Sequence, residues 1–326
     1  MSHEPKMRAI TQPGYGAFEI LQLRDDVDVP AVGDDAVLVR VKASSVNAGD
    51  WRAVRADPFV VRLGNGMRRP KSPLLGVDVA GIVEGVGGEV THLRIGDEVY
   101  GMRSGAFAEY VSGRTFVPKP AGLTFEQAAA VPVAGLTALQ ALRDHGAVQP
   151  GQMVLVNGAG GGVGTFVVQI AKALGAEVTA ASRTANLELL TSLGADHVVD
   201  YTVEDVTKAT RRYDLIVDVG GNLSFSAGRR ILTEGGTFVL VGAGLGSGMS
   251  VLSHIASAWA RSRLLKQRVI FFIAKPSNED LLALTEMIDS GQVSPVIDRV
   301  FSLSDIAAAL RHLEEKRARG KVVVSI

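Results

Sequence analysis

The 326-residue chain contains no cysteine. That excludes disulfides, thiolate metal ligands and cysteine nucleophiles. It is compatible with a reducing compartment, and a cytoplasmic protein is the expectation. Charge of one sign is also lacking, because 34 Lys and Arg balance 34 Asp and Glu. Without a basic excess nothing drives counterion release from a polyanion, so no nucleic-acid partner is expected. The six histidines, His3, His92, His145, His197, His254 and His312, are scattered. No two stand at metal-ligand spacing, no metal site is expected, and His145 and His254 read as structural. The opening MSHEPKMRAI lacks the apolar core of a signal peptide. Stretches 149–171 and 237–260 hold no charged residue. Each is long enough to suggest a membrane span, but clustered glycines break both into strand–turn–helix units, so no membrane partner is expected.

What is abundant is glycine, 37 residues in all, beside a 47% hydrophobic content. The two together suit α/β units with many tight turns around ample core. One local departure from neutrality is the cluster Arg52, Arg55, Arg62, Arg68, Arg69 and Lys71. It reads as a solvated loop or as a rim that attracts anionic ligands.

The pattern divides the chain. In the first third, 36–43, 77–85, 98–100 and 107–111 are short strands punctuated by glycine, which suggests a compact β-rich domain. From about Phe125 helices appear. Apolar strands at 153–157, 177–181, 197–199, 215–219, 237–241 and 269–273 then alternate with helical segments. That alternation is the mark of a parallel sheet covered on both faces. The closing helix and the strand KVVVSI (321–326) are too short for a domain of their own. They are expected to return to the first domain. The expected division is 1–124 with 275–326 for the β-rich domain and 125–274 for a doubly wound, Rossmann-type domain inserted into it.

The most informative segment is 151–172, GQMVLVNGAGGGVGTFVVQIAK. A buried strand, a glycine-dense turn (158–164) and a helix that starts as the glycines stop make a phosphate-binding unit. Backbone N–H groups can approach a pyrophosphate there, in front of a helix N-terminus. In the register that fits the helix, Ala159, Gly161 and Gly164 take the three small-residue positions. A dinucleotide with a free ribose 2′-OH calls for an acidic residue about 20 positions further on. Here that place reads Ala-Ala-Ser182-Arg183-Thr-Ala-Asn186, with no carboxylate. A hydroxyl and a guanidinium suit a 2′-phosphate, which favours NADPH over NADH. In the first domain, Asn47 and Asp50 follow a strand and open a turn or helix. Asp50 reads as a helix cap and Asn47 as a residue of the active cleft.

Several segments agree across nearly the whole chain: Asn47-x-x-Asp50, Gly76-Val77-Asp78-x-x-Gly81, Gly96-Asp97-x-Val99, Gly105–Tyr110 (GAFAEY), Gly135-Leu-Thr137-Ala, Gly151-Gln152, Ala159–Gly164, Gln169-x-x-Lys172, Leu193-Gly-Ala-Asp196 and Gly320-Lys321-Val322. Together they resemble the quinone oxidoreductase branch of the medium-chain dehydrogenase/reductase superfamily. Zinc-containing members of that superfamily place a Cys near Asn47 and a Gly-His-Glu where this chain has Gly76-Val77-Asp78. The resemblance therefore implies a zinc-free reductase, with a GroES-like catalytic domain interrupted by a Rossmann domain and the cofactor in the cleft between them.

It further implies that Ala159, Gly160, Gly161, Gly162, Val163 and Gly164 take the pyrophosphate. Ser182, Arg183 and Asn186 take the 2′-phosphate side, and Tyr201 flanks the adenosine. Thr137, Val241, Gly242 and Ala243 line the nicotinamide half, with Phe272 and Lys321 nearby. Asn47 and Asp50 are the catalytic candidates, and Asn47 donates a hydrogen bond to substrate or cofactor. The expected activity is NADPH-dependent hydride transfer to a quinone or an α,β-unsaturated carbonyl. The alternatives are an NADPH-binding sensor or moonlighting protein with little turnover, and a zinc-free alcohol or enoyl-thioester reductase. The apolar strand 269–273 would lie at a sheet edge in this fold, which predicts a homodimer.

Overall fold

A computed structural model describes residues 5–57, 59, 61–241, 266–315 and 318–326. Gly242, Ala243 and His254 lie outside the described residues, as does nearly all of the uncharged stretch 237–260 beyond Val241. The chain forms two compact units.

The first unit comprises Met1–Val133, Pro276–Asp289 and Pro295–Ile326. It begins with β1 (Lys6–Thr11), β2 (Gln22–Asp28), β3 (Val37–Val46), α1 (Ala48–Arg55), α2 (Val61–Asn65) and β4 (Asp78–Val86). Then come β5 (Glu98–Met102), β6 (Tyr110–Gly113), β7 (Phe116–Pro118) and α3 (Phe125–Ala129). In β3, Val37, Val39 and Val41 alternate inward and pack with Val79, Val83, Val99 and Phe116. The period of two in the sequence is thus one face of a sheet turned to a core. In the β1–β2 pair, β2 has no such signal. This strand, QLRDDVD, is exposed at every position but one, so no apolar alternation marks it.

The chain then runs through α4 (Pro132–Gln140) into the second unit, Ala134–Lys275 with Ser290–Ser294. This unit holds β8 (Met153–Asn157), α5 (Gly162–Ala173), β9 (Glu177–Ser182), α6 (Leu187–Ser192) and β10 (His197–Asp200). It continues with β11 (Tyr213–Asp218), α7 (Phe225–Ile231), β12 (Leu232–Val241) and β13 (Arg268–Phe272). The six strands are all parallel, in the order β10-β9-β8-β11-β12-β13. Counted in chain order this is 3-2-1-4-5-6, the Rossmann arrangement, whose order reverses between β8 and β11. Central strands such as Val154–Val156 and Leu215–Val217 are apolar without alternation because both faces are buried. Helix α5 is buried from Gly164 to Ala171.

The remaining elements belong to the first unit: α8 (Asn278–Asp289), β14 (Ile297–Ser302), α9 (Ile306–Glu314) and β15 (Lys321–Ser325). The last strand joins a seven-stranded sheet of order β14-β15-β3-β4-β5-β7, with β6 paired to β3. β15 runs antiparallel to β3, with Val322 opposite Val46. This pairing seats Lys321 beside the end of β3, where Asn47 begins α1. Among the described residues no helix is long and apolar enough to cross a membrane.

Candidate active site

The end of β8 carries the glycine turn. Gly158 takes φ +83°, and a Cβ there would fall 2.6 Å from the Gly220 nitrogen. The left-handed residue is therefore Gly158, and Ala159 carries its methyl group on ordinary backbone, buried. The helix begins earlier than the residues suggest. Gly161 is its N-cap and Gly162 its first residue, whereas glycine propensity alone places the start after Gly164. Proximity is the reason: a Cβ at Gly164 would meet the carbonyl oxygens of Gly158 and Ala159 at 2.4 and 2.6 Å. A Cβ at Gly161 would find only the Gly158 oxygen, at 3.8 Å, so that edge of the turn is open. The first-turn N–H groups of Gly162, Val163 and Gly164 have no acceptor inside the helix, and the helix dipole adds partial positive charge.

The end of β9 packs directly behind this turn. Ser182 and Asn186 are both 3% exposed, and the Asn186 amide donates to Ser182 Oγ over 2.9 Å. Asn186 Oδ1 is buried without a protein partner. Arg183 is half-buried between them in sequence, and the exposed Tyr201 donates its backbone N–H to the Ser182 carbonyl over 3.1 Å. Where the strand order reverses, Asn157 Nδ2 donates to Asp218 Oδ1 (2.7 Å) and Asn222 Oδ1 (2.8 Å). Asp218 Oδ1 also accepts from the Gly221 N–H, while Oδ2 has no protein partner. Burial holds the Asp218 carboxyl above the ordinary carboxylate range. A groove of about 360 Å³ runs past Asn157, Tyr201–Thr207 and Asn222. Open glycine backbone, orphaned buried acceptors and a groove at the reversal point fit a dinucleotide.

Further along the same unit, Val241 is a buried strand residue opposite Phe272. The Phe272 ring lies 4.2 Å from that of His145, which accounts for His145 as a packing residue. Thr137 is half-buried in α4.

The first unit assembles a different kind of site, a buried polar cluster. Asp78, at the start of β4, has no exposed surface. Its Oδ2 accepts from Ser45 Oγ (2.5 Å), Asn47 Nδ2 (2.8 Å) and Lys321 Nζ (3.1 Å), and its Oδ1 accepts from the Val133 N–H (2.8 Å). Lys321, 3% exposed, also donates to Asn47 Oδ1 over 2.6 Å and to the Val46 carbonyl over 3.4 Å. Asp50 closes the start of α1 by accepting the Asn47 N–H over 2.7 Å. That is the N3 half of a capping box, so the cap reading of Asp50 holds. Burial, with the Asp78 charge adding to it, pushes the Asp50 carboxyl up to about 7; N–H donors and Lys321 pull the other way. The Asn47 side chain is half-buried and faces Asp78 and Lys321. Asp78 and Ser45 were not singled out from sequence as site residues; the carboxylate in Gly76-Val77-Asp78 was the available signal.

Comparison with known proteins agrees with this geometry. Residues 33–140 match the alcohol dehydrogenase GroES-like domain, and residues 193–324 match a zinc-binding dehydrogenase domain. The chain is 34% identical to the 2-methylene-furan-3-one reductase of Solanum lycopersicum, over 98% of this chain and 79% of that protein. It is 33% identical to the chloroplastic NADPH-dependent alkenal/one oxidoreductase of Arabidopsis thaliana, with the same coverage of 98% and 79%. The quinone oxidoreductase from Coxiella burnetii superposes with a TM-score of 0.85 at 30% identity, covering 98% of this chain and 99% of that one. The chain belongs to the medium-chain dehydrogenase/reductase superfamily, in its quinone oxidoreductase branch. The zinc in the second domain's name does not suit this chain's residues. There is no cysteine, and Val77, between Gly76 and Asp78, has no donor atom. Among the described residues no three His, Asp or Glu side chains are grouped to hold a metal.

Proposed function

We propose that the protein is an NADPH-dependent reductase that delivers hydride to quinones or α,β-unsaturated carbonyls without zinc. The observation that carries this reading is the Asn47 amide, held by a carboxylate and an ammonium in the segment where zinc-containing relatives carry a Cys. When bound, the dihydronicotinamide supplies the hydride. Everything else is the work of this chain's own groups. The backbone N–H groups of 160–164 hold the pyrophosphate, and Arg183 favours the 2′-phosphate over a free hydroxyl. Asp78 accepts from four donors and orients its neighbours. Asn47 donates an N–H to the substrate oxygen as negative charge gathers there. A conjugated enolate or quinol oxyanion needs less stabilisation than an alkoxide, so a neutral amide serves. Solvent supplies the final proton.

The partner is a small electron-poor molecule. A second copy of the chain completes the reading, because β13 has a single described neighbour, β12, and carries exposed Phe271.

The test compares NADPH and NADH oxidation with an ortho-quinone and a short enone, in EDTA. NADPH-selective turnover that survives EDTA is expected. Turnover that collapses in EDTA and returns with zinc would refute a metal-free site. Saturable NADPH binding without turnover would favour a sensor.

A further inference from the structure

The buried ammonium of Lys321 is the feature that the hydride chemistry leaves unexplained. It is 3% exposed, and its three acceptors, Asn47 Oδ1 (2.6 Å), Asp78 Oδ2 (3.1 Å) and Val46 O (3.4 Å), match its three hydrogens in number. Burying a charge is costly, and a buried ion pair is often replaceable as a whole by apolar residues of similar volume. This lysine lies against Asn47 and Asp78, in the two segments where zinc-containing members of the superfamily carry a Cys and a Gly-His-Glu. The site therefore does hold a cation, supplied by the chain itself.

Its effect falls on Asn47. An amide presents an acceptor at one end and two donors at the other, and a flip exchanges them. Here the flip is forbidden by charge. It would set the NH₂ group against the ammonium and the carbonyl oxygen against the Asp78 carboxylate. One Nδ2 hydrogen is taken by Asp78 at 2.8 Å. The other has only the Ser45 carbonyl at 3.4 Å, a weak contact that a better acceptor displaces. The 2.6 Å contact at Oδ1 draws electron density out of the amide and strengthens the remaining N–H as a donor.

We infer that Lys321 is the fixed cation of this site and a positioning residue for the reduction, holding Asn47 so that its Nδ2–H meets the substrate oxyanion. This rests on the reductase reading above. As the C–H bond forms at the enone β-carbon, the π pair moves toward oxygen. The enolate so formed is the species the oriented N–H stabilises. Protonation at the α-carbon by solvent completes the reaction, with NADPH oxidised to NADP⁺.

The absence of cysteine makes a clean test available. Lys321→Cys introduces the sole thiol. Alkylating the unfolded variant with 2-bromoethylamine and refolding it rebuilds a lysine-like side chain at that position alone. Ethylation gives a neutral control, and wild-type protein is carried through the same steps. The inference expects Lys321→Cys and Lys321→Met to lower kcat for a short enone by about 10- to 100-fold, with the NADPH Kd within about twofold of wild type. Aminoethylation restores most of kcat and ethylation does not. The pair Asp78→Asn with Lys321→Met removes both charges together, which guards against an unpaired buried carboxylate. It is expected to fold and remain slow.

A readout independent of turnover is the Asn47 side-chain NH₂ signal in NMR, assigned by its loss in Asn47→Asp. Its exchange with water should quicken at least tenfold in Lys321→Met and slow again on aminoethylation. Wild-type kcat in Lys321→Met, equal kcat after aminoethylation and ethylation, or unchanged Asn47 exchange would each overturn the inference. If wild-type protein reduces neither acceptor while the exchange pattern holds, the reductase reading fails and with it the catalytic part of the inference; only the hold of Lys321 on the Asn47 amide stands.

Discussion

A methyl group at Gly160 would stand 2.1 Å from Nδ2 of Asn186 and 2.6 Å from its Cγ. The phosphate turn and the end of the second strand are thus in backbone-to-side-chain contact. Gly160→Ala is expected to displace Asn186, break its bond to Ser182 and cost about 1–3 kcal/mol of stability, with a matching loss of NADPH affinity. Removing the obstructing amide should soften the cost, so Gly160→Ala is expected to be milder in an Asn186→Ala background. Denaturant midpoints of the four proteins in this cycle check it. Strict additivity would mean that the contact carries no energy.

Arg183 follows Ser182 at the end of β9, and no acidic residue stands there to meet a ribose 2′-OH. A charge-assisted bond to a phosphate is worth about 1.5–3 kcal/mol. Arg183→Ala is therefore expected to raise the NADPH KM by about 10- to 100-fold and leave the NADH KM nearly unchanged. Equal changes for the two cofactors would remove the 2′-phosphate role of Arg183.

Much of this architecture was legible in the sequence because it rests on periodicity and glycine. The apolar strands of the second unit and the glycine turn are visible as residue patterns, and the return of KVVVSI to the first unit follows from its brevity. Two things were not legible. The strand Gln22–Asp28 is exposed and charged, so burial leaves no imprint on it. The Asp78–Lys321 contact joins residues 243 positions apart, and only the antiparallel pairing of β15 with β3 brings them together. Sequence marked Lys321 as a residue near the cofactor; the structure places its ammonium on Asn47 and Asp78.

Asp50 gives the fold a pH dependence with a definite sign. Its carboxyl is raised from 3.8 to about 7 in the folded chain, mainly by burial. Between these values the folded state holds a proton that the unfolded state has released. Stability from this group is therefore greatest at the acid end and declines as pH rises from about 4 to about 7, then levels off. Asp50→Asn is neutral throughout and keeps an acceptor for the Asn47 N–H. The expected outcome is a difference between wild-type and Asp50→Asn denaturation midpoints that shifts against the wild type between pH 5 and 7.5. Urea titrations of both proteins across that range test it, and a difference constant with pH would show that Asp50 ionises normally.

The edge of the parallel sheet carries the last prediction. β13 pairs with β12 on one side, and Phe271 and the following Ile273 are 40% and 79% exposed. An edge that offers unpaired backbone groups beside apolar side chains aggregates unless something specific covers it. A second copy would satisfy both needs at once, since a two-fold axis at the edge would bring β13 against its own equivalent and bury the two apolar side chains together. A homodimer is the expected state in light scattering at micromolar concentration. Ile273→Lys sets like charges close to one another across that axis while leaving each sheet intact. It should shift the protein toward monomer, with NADPH binding preserved. A wild-type monomer at every concentration would remove the pairing, and a dimer indifferent to Ile273→Lys would move the interface to another face.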